Sequence, residues 1–375
     1  MAKYVLIPDS FKGTLSSEDI CRIASEEILR LEPEAEICAI PVADGGEGTV
    51  DAFLAAVGGT RAEVPCTGPC GQEVMGFYGL LPDGTAVVEM AAAAGLPLAG
   101  ACRDPEKTTT YGVGQLMAHA LSRGAKRLVL GLGGSATNDG GCGAAAALGV
   151  RFFDRQGRSF VPTGITLVDI ADVDLSRRHP ALDDVPLTVM CDIDNPLYGA
   201  LGAAYVFAPQ KGADAACVQR LDEGLRHFAA VLRQRLGIPV DKLPGGGAAG
   251  GFGAGCAALL GGTLRSGIET VLNTVDFDRR AAGYDLIVTG EGRLDSQSLG
   301  GKAVSGVAGR CRALGVPAAA LVGALALELE PDDLAALGLC SARSINPAGV
   351  TLQNAKAHAA AYYRDALVKL LEEMS

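Results

Sequence analysis

Residues 128–148 read Leu-Val-Leu-Gly-Leu-Gly-Gly-Ser-Ala-Thr-Asn-Asp-Gly-Gly-Cys-Gly-Ala-Ala-Ala-Ala-Leu. An apolar run that breaks into glycines and reopens as an alanine-rich segment predicts a buried strand, a loop and a helix. The first N–H groups of a helix lack partners within the helix, and the helix dipole adds positive potential there, so such a loop is typical of a phosphate site. A structural strand-to-helix connection, capped by Asn138 or Asp139, remains the alternative.

Segments on either side of this stretch alternate between short apolar runs and longer helical ones. This rhythm predicts a doubly wound, flavodoxin/Rossmann-like α/β domain with a parallel sheet. The predicted strands cover residues 4–7, 37–42, 127–132, 285–289 and 318–322, and the predicted helices cover residues 17–31, 48–56, 111–122 and 302–314.

Two other segments have a different character. Residues 63–90 are rich in glycine and proline turns, and residues 149–278 mix short strands with an amphipathic helix near Val218 to Leu236. A second, different α/β domain inserted into the first explains both. The predicted division assigns 1–62, 105–140 and 283–375 to the Rossmann-like domain and 63–104 and 141–282 to the inserted domain.

Charge and cysteine content restrict the class of protein. The 375 residues carry 32 basic and 43 acidic side chains, a net charge of −11, without a lysine-arginine cluster, which argues against nucleic acid and anionic membranes as partners. The 11 cysteines are scattered, and Cys66 and Cys70 lack a second pair to complete a zinc site. We therefore expect reduced, buried cysteines in a cytoplasmic protein without a membrane span.

Polar clusters follow three predicted strands, where ligands bind in open α/β sheets. Each cluster combines glycine with acids and hydroxyl groups, although a helix cap or a turn explains any single one. They are Pro8-Asp9-Ser10-Phe11-Lys12-Gly13-Thr14, Val42-Ala43-Asp44-Gly45-Gly46-Glu47-Gly48-Thr49 and Thr289-Gly290-Glu291-Gly292-Arg293-Leu294-Asp295-Ser296-Gln297.

Asp192 and Asp194 end a further apolar run. In an extended segment they face the same side, which suits a shared magnesium ion, or one base with one orienting partner; an Asp-Asn-Pro turn is the alternative. Lys211 lies in a nearby loop, and 245–255 form a glycine-rich surface suited to close approach. Carboxylates, glycine loops and lysines are what phosphoryl transfer requires, but the Gly-x-x-x-x-Gly-Lys-Ser/Thr loop and the protein-kinase signature are absent.

Taken together, these motifs resemble the bacterial type-I glycerate kinases over residues 8 to about 323, whereas 326–375 show little similarity. The resemblance also rests on Glu89-Met90-Ala91-Ala92-Ala93, Cys191-Asp192-Ile193-Asp194-Asn195-Pro196-Leu197 and Pro209-Gln210-Lys211-Gly212-Ala213. It implies an ATP- and Mg²⁺-dependent kinase acting on D-glycerate, with two unlike α/β domains and the site between them.

Residue roles are hypotheses built on these positions. The Gly133-Gly134-Ser135 backbone and Thr137, with Asn138 and Asp139, are expected to bind the ATP phosphates, and Lys12 or Lys211 to neutralise the transferring group. Asp192 and Asp194 are expected to bind Mg²⁺ and to orient or deprotonate the glycerate hydroxyl. The remaining substrate candidates are Asp9, Ser10, Asp44, Glu291 and Arg293, with the Arg293 guanidinium on the glycerate carboxylate.

Two other functions remain compatible with the sequence. Gly131-x-Gly133-x-x-Ala136, with Asp154 about 20 residues further on, fits the fingerprint of an NAD-dependent oxidoreductase. A non-catalytic metabolite-binding protein on the same frame would need the glycine loops but not the acids. The resemblance to glycerate kinases favours the 2-hydroxyl of glycerate over the 3-hydroxyl only slightly. The sequence also allows a homo-oligomer.

Overall fold

The computed structural model describes residues 1–11, 13–294, 303–325 and 331–374. The chain forms two compact units. Unit 1 consists of Met1–Asp44, Asp51–Val57 and Ser266–Ser375, and unit 2 consists of Gly45–Val50 and Gly58–Arg265.

Strands and helices are numbered in chain order. The strands are β1 Lys3–Pro8, β2 Glu36–Ala39, β3 Thr60–Thr67, β4 Glu73–Leu80, β5 Thr85–Glu89, β6 Arg127–Gly131, β7 Arg151–Phe153, β8 Ser159–Phe160, β9 Asp172–Asp174, β10 Leu187–Met190, β11 Thr263–Arg265, β12 Leu286–Glu291, β13 Ala318–Val322 and β14 Ser341–Ser344. The α-helices are α1 Ser17–Leu31, α2 Thr49–Val57, α3 Ala91–Ala94, α4 Leu96–Ala99, α5 Tyr111–Ser122, α6 Cys142–Ala147, α7 Ala203–Phe207, α8 Ala215–Val231, α9 Ala248–Gly255, α10 Gly267–Thr274, α11 Phe277–Ala281, α12 Ala303–Leu314, α13 Pro331–Leu337, α14 Leu352–Ala357 and α15 Ala359–Met374.

Unit 1 contains a parallel five-stranded sheet in the order β14-β13-β12-β1-β2. The β1 sequence is buried almost throughout, as expected of a strand covered on both faces. Helix α1 begins where Ser16 accepts a hydrogen bond from the backbone N–H of Asp19, as is typical of a serine N-cap. The α/β prediction with a parallel sheet is therefore confirmed in this unit.

The C-terminal segment belongs to the same core. Tyr363, Leu367 and Leu370 of α15 pack in one apolar cluster with Ile20 and Ile23 of α1. Strand β14 extends the sheet beyond β13. The residues after 330, which carry little of the sequence resemblance, therefore complete unit 1.

Unit 2 is built around a mixed six-stranded sheet in the order β11-β10-β6-β5-β4-β3. Strands β5, β6, β10 and β11 run parallel, whereas β3, β4 and β5 form an antiparallel meander. A small antiparallel sheet, β8-β7-β9, is separate from it.

The division into units differs from the predicted domains at residues 105–140. Strand β6 lies in unit 2 because it pairs with β5 on one side and β10 on the other. Its apolar sequence resembles that of the unit 1 strands, and a local pattern does not specify which sheet a buried parallel strand joins. Residues 266–282 belong to unit 1, and residues 45–50 and 58–62 belong to unit 2, again unlike the predicted division.

Cysteine pairing corrects a second expectation. Cys70, in the turn between β3 and β4, forms a disulfide with Cys102, in the loop after α4. The expectation of eleven reduced cysteines is wrong for these two, because folding brings together residues 32 positions apart. The other nine are free. In the described ranges, no helix has the length and apolar character needed to cross a membrane.

Candidate functional site

The Gly131–Gly141 loop begins at the carboxyl end of β6, in the interior of the unit 2 sheet. Gly131 lies in register with Glu89 at the end of β5 and with Met190 at the end of β10. The glycine loop, Glu89 and the segment containing Asp192 therefore start from one edge of the parallel strands. Ligands bind at this edge in open α/β sheets.

Glycines 131 and 133 are required by a close backbone approach. The Gly133 N–H donates to the Gly45 carbonyl at 2.9 Å. A Cβ atom on Gly133 would lie 2.5 Å from the Gly46 Cα, and one on Gly131 would collide with the Gly45 carbonyl. The motif around residue 45 and the glycine loop thus pack directly together, which explains both sets of glycines.

Glu89 is a buried carboxylate at this edge. It is 1% exposed, and its Oε2 atom accepts a hydrogen bond from the Thr49 backbone N–H at 2.9 Å. Thr49 is the first residue of α2. The carboxylate therefore ties this helix start to the end of β5.

Asp139 organises the end of the glycine loop. Its carboxylate accepts hydrogen bonds from the Thr110 N–H and hydroxyl and from the N–H groups of Gly141 and Gly143. Complete burial raises the pKa of Asp139, and these hydrogen bonds act in the opposite direction. Its oxygens thus bond to the chain itself, which favours a positioning role over direct ligand contact.

These hydrogen bonds contradict the expectation that the N–H groups at the start of α6 lack partners in the chain and point towards a bound phosphate. The helix has only six residues, its first amides bond to Asp139, and the Ala144 N–H donates to the Thr110 hydroxyl. The helix-dipole argument therefore does not support a phosphate site at this helix start. The polar side chains of the loop remain the candidates.

Lys211 lies among those side chains. Its Nζ atom donates to the Ser135 Oγ at 2.8 Å and to the Thr137 carbonyl oxygen at 2.7 Å, and the residue is 2% exposed. Burial lowers the pKa of Lys211 to about 7, while the charge of Asp139 acts in the opposite direction. A buried lysine with a strongly shifted pKa is typical of a functional site.

The local sequence explains how Lys211 is held. It ends a short 3-10 turn, Pro209–Lys211, and Gly212 follows with a φ of 103°. A Cβ atom on Gly212 would lie 2.5 Å from the Arg103 carbonyl oxygen. The glycine thus allows a backbone contact that a larger residue would prevent.

Thr137 and Asn138 carry buried polar atoms without partners in the described part of the chain. These atoms are the Thr137 Oγ1 and both amide heteroatoms of Asn138, and both residues are fully buried. Buried polar groups are almost always hydrogen-bonded, so such a cluster indicates a bound ligand or water. Gly250 packs against this backbone, and its carbonyl accepts from the Gly140 N–H at 3.0 Å.

Asp192 and Asp194, the candidate metal ligands, lie in the segment that follows β10. Both residues are exposed, alternate with less exposed neighbours and lie outside regular structure. Among the described residues, no group of three or more His, Cys, Asp or Glu side chains is placed to hold a metal ion. Mg²⁺ commonly uses only one or two protein carboxylates together with phosphate oxygens and water, so this pair fits it.

Unit 1 carries the remaining candidates. Pro8 of β1 lies in register with Gly290 of β12, so Asp9, Ser10 and Glu291 share one sheet edge. Glu291 is buried, whereas Arg293 is exposed. Asp44 is exposed and directly precedes Gly45. Lys12 and 295–302 lie outside the described residues.

Sequence reasoning missed several polar residues at the two edges. Thr110, directly before the predicted helix 111–122, carried no recognisable signal, although it bonds to both Asp139 and Ala144. Glu89 was part of the motif at residues 89–93, but no role of its own was predicted for it. Asn346, which donates to the Gly323 carbonyl and has a buried, unpartnered Oδ1 within the described ranges, carried no recognisable signal.

Thr110→Val is expected to lower the free energy of unfolding by about 2 kcal/mol, because it removes one donor to Asp139 and leaves the Ala144 N–H unpaired. Urea denaturation measures this change. The control is Thr60→Val, at an exposed strand end. Equal effects of the two substitutions would contradict the positioning role.

The segment that matches the dinucleotide-binding fingerprint, residues 131–136 with Asp154, does not form the structure found in NAD-binding proteins. Asp154 accepts hydrogen bonds from the N–H groups of Gln156 and Arg158, so it holds the turn between β7 and β8. The helix begins only at Cys142, eleven residues after Gly131. The loop thus lacks the direct strand-to-helix turn of NAD-binding proteins.

Comparisons with known proteins agree with the motifs. The model of the glycerate kinase family matches residues 4–375, so the similarity extends through the C-terminal segment that the sequence resemblance left out. Glycerate kinase from Bacillus cereus (strain ATCC 10987 / NRS 248) is 46% identical over 325 residues, which are 86% of this chain and 85% of the relative. Glycerate 2-kinase from Escherichia coli (strain K12) is 43% identical, with the same coverage.

A solved structure shows the same fold. The protein, from Salmonella typhimurium LT2, is provisionally named glycerate kinase 2. It is 39% identical, covers 99% of both chains and superposes with a TM-score of 0.86.

Proposed function

Because this chain belongs to the glycerate kinase family, we propose that it transfers the γ-phosphoryl group of ATP to D-glycerate, at the 2-hydroxyl in preference to the 3-hydroxyl. The name of the Escherichia coli relative, glycerate 2-kinase, supports the 2-position. An NAD-dependent oxidoreductase and a non-catalytic binding protein both fit this family membership less well.

The observation that carries the proposal is the buried Lys211, held by Ser135 and the Thr137 carbonyl in the glycine loop. Phosphoryl transfer depends on positioned positive charge and hydrogen-bond donors rather than on elaborate covalent chemistry. Lys211 supplies the charge, and the unpartnered groups of Thr137 and Asn138 supply hydrogen bonds. We place the ATP phosphates at this loop, with the Gly133-Gly134-Ser135 backbone beside them.

Asp192 and Asp194 would hold Mg²⁺, which neutralises phosphate charge when bound. Their exposed carboxylates follow β10 at the sheet edge where the glycine loop begins. One of the two also suits the role of base for the glycerate hydroxyl, because a base needs only hydrogen-bond reach and a suitable pKa.

For glycerate itself, we propose Arg293, with Asp9, Ser10, Asp44 and Glu291 as further contacts. A guanidinium binds a carboxylate through two parallel hydrogen bonds, which a lysine does not reproduce. Lys12 remains a second candidate for neutralising the transferred group.

Arg293→Lys is expected to raise the KM for D-glycerate about tenfold and leave the KM for ATP nearly unchanged, since only the carboxylate contact is weakened. Steady-state kinetics with each substrate varied in turn measures this. Arg22→Lys, on the exposed face of α1, is the matched control. An unchanged KM for glycerate would remove Arg293 from the substrate site.

The reaction itself is tested with purified protein, ATP, Mg²⁺ and D-glycerate. Phosphorus NMR of the product is expected to show 2-phosphoglycerate. Formation of 3-phosphoglycerate would correct the position, and absence of any phosphoglycerate would contradict the proposed activity. The proposal also places the protein in the cytoplasm, where ATP is available.

A further inference from the structure

Ser135 and Lys211 form a hydrogen-bonded pair at the candidate phosphate site. The Ser135 Oγ lies 2.8 Å from the Lys211 Nζ, and a second hydrogen bond to the Thr137 carbonyl fixes the amine. Ser135 is 8% exposed and Lys211 is 2% exposed, so both residues of the pair are buried.

The backbone presents this serine on a tight turn. Gly134, immediately before it, has a φ of 73°, and the turn follows an interior strand of the sheet. Hydrogen bonds between the 94–96 segment and both neighbours of Ser135 fix the turn: the Ala136 N–H donates to Ala94, and the Leu96 N–H donates to Gly134. These two hydrogen bonds fix the backbone on both sides of Ser135.

A lysine so placed can take a proton from a serine hydroxyl. Burial lowers the pKa of Lys211 to about 7, so a substantial fraction of the amine is neutral near neutral pH. A neutral amine accepts the hydrogen bond that an ammonium would donate, and serine-lysine pairs activate hydroxyl nucleophiles in this way on several folds.

We propose that Ser135 is a nucleophile that takes the γ-phosphoryl group of ATP, with Lys211 as its base, before that group passes to glycerate. This inference rests on the proposed function for its donor and acceptor. It assigns two successive displacements at phosphorus instead of one.

In the first displacement, the Ser135 Oγ forms a bond to the γ-phosphorus, the bond from that phosphorus to the bridging oxygen breaks, and ADP leaves. The hydroxyl proton moves to the Lys211 Nζ. The ammonium so formed lies beside the new phosphoserine and balances part of its charge.

In the second displacement, the glycerate hydroxyl attacks the phosphorus and the bond to the Ser135 Oγ breaks. Lys211 returns its proton to that oxygen. The proton of the glycerate hydroxyl goes to a carboxylate base, for which Asp192 is the proposed group, and then to water. The protein is restored, and the net reaction is phosphoryl transfer from ATP to glycerate.

The residues that follow Ser135 suit a phosphoserine. The Thr137 hydroxyl and the Asn138 amide carry donors without partners in the described residues. A serine that only anchored the lysine would not need these further donors next to it in the chain.

Stereochemistry at phosphorus gives the decisive test. With ATP made chiral at the γ-phosphorus by oxygen isotopes and sulfur, each in-line displacement inverts the configuration. Two displacements are expected to give phosphoglycerate with retained configuration. Inversion would overturn the proposal and leave the kinase activity itself intact.

A second test detects the phosphoenzyme directly. The protein is incubated with γ-labelled ATP and Mg²⁺ without glycerate, quenched, and analysed by intact mass and peptide mapping. One phosphoryl group is expected on Ser135, and D-glycerate added before the quench is expected to remove it. Absence of label from Ser135 under these conditions would overturn the proposal.

Variants separate nucleophilic from structural roles. Ser135→Ala is expected to abolish labelling and to lower kcat about 1000-fold, whereas Ser135→Thr, which keeps a hydroxyl, is expected to recover part of both. Ser122→Ala is the control, because its hydroxyl donates to the His119 carbonyl on the surface of the same unit. A Ser135→Ala variant with normal kcat would overturn the proposal.

Failure of the proposed function would look different. If ATP labels Ser135 but no glycerate product forms, the nucleophile is correct and the acceptor is wrong. If the product forms with inversion and without label, the acceptor is correct and the nucleophile is wrong.

Discussion

Lys211→Met is expected to reduce kcat about 1000-fold while making the protein more stable near pH 7. Activity falls because the amine that contacts Ser135 and the Thr137 carbonyl is lost from the proposed phosphate site. Stability rises because a buried ammonium is replaced by an apolar side chain of similar length. Opposite changes in activity and stability are typical of functional sites.

The pH dependence follows from the lowered pKa. Burial moves the pKa of Lys211 from 10.5 to about 7, so between these values the unfolded chain binds more protons than the folded protein. The free energy of unfolding attributable to this group therefore rises with pH from about 7 towards 10.5. The burial penalty is fully present below pH 7.

The expected gain in stability of Lys211→Met follows from the lowered pKa of Lys211. Each pKa unit corresponds to about 1.4 kcal/mol, so the penalty reaches about 5 kcal/mol. Methionine leaves the Thr137 carbonyl without its donor, which costs about 1–3 kcal/mol. A net gain of about 2 kcal/mol is expected at pH 6–7, shrinking towards pH 9.

Urea denaturation of both proteins at several pH values measures this difference. Lys126→Met, at an exposed position in the same unit, is the control and is expected to change neither stability nor kcat appreciably. A Lys211→Met variant that is less stable than the wild type at pH 6, or that keeps normal kcat, would contradict the account.

Asp192→Asn is expected to lower kcat by about 100- to 10,000-fold, with smaller changes in the KM values. The amide keeps the size of the side chain but loses the charge needed for metal binding or proton abstraction. An interaction made chiefly in the transition state affects turnover more than substrate binding. Steady-state kinetics over a range of Mg²⁺ concentrations measures the effect.

Magnesium dependence separates the two roles of this carboxylate. If Asp192 binds the metal, high Mg²⁺ is expected to restore part of the activity; if it acts as the base, added Mg²⁺ has no such effect. Asp184→Asn, another exposed carboxylate of unit 2, is the control. Near-normal kcat for Asp192→Asn would exclude it from both roles.

Much of the secondary structure follows from local sequence. The predicted helices 17–31 and 111–122 and the predicted strand 318–322 have the observed bounds, because their apolar periodicity and flanking residues are unambiguous. The sheet to which β6 belongs did not follow, because pairing with β5 and β10 is a long-range property. The disulfide between Cys70 and Cys102 was not predicted for the same reason, because it joins residues that are distant in sequence.

At the candidate site, residue types were more informative than their assumed roles. The position of the loop at the end of β6 followed from the glycines after an apolar run. The hydrogen bonding of Asp139 within the protein did not follow, because two of its four donors belong to Thr110, 29 residues away in sequence. The partners of Lys211 also depend on tertiary packing, since Ser135 lies 76 residues away in sequence.

The two outermost strands of the unit 2 sheet bear on self-association. At one end, β11 has only three residues. At the other end, β3 carries exposed Arg61, Glu63 and Pro65, and the proline has no N–H to donate. A short edge strand, and an edge strand with charged residues and a proline, both discourage a second copy of the chain from adding a strand to the sheet.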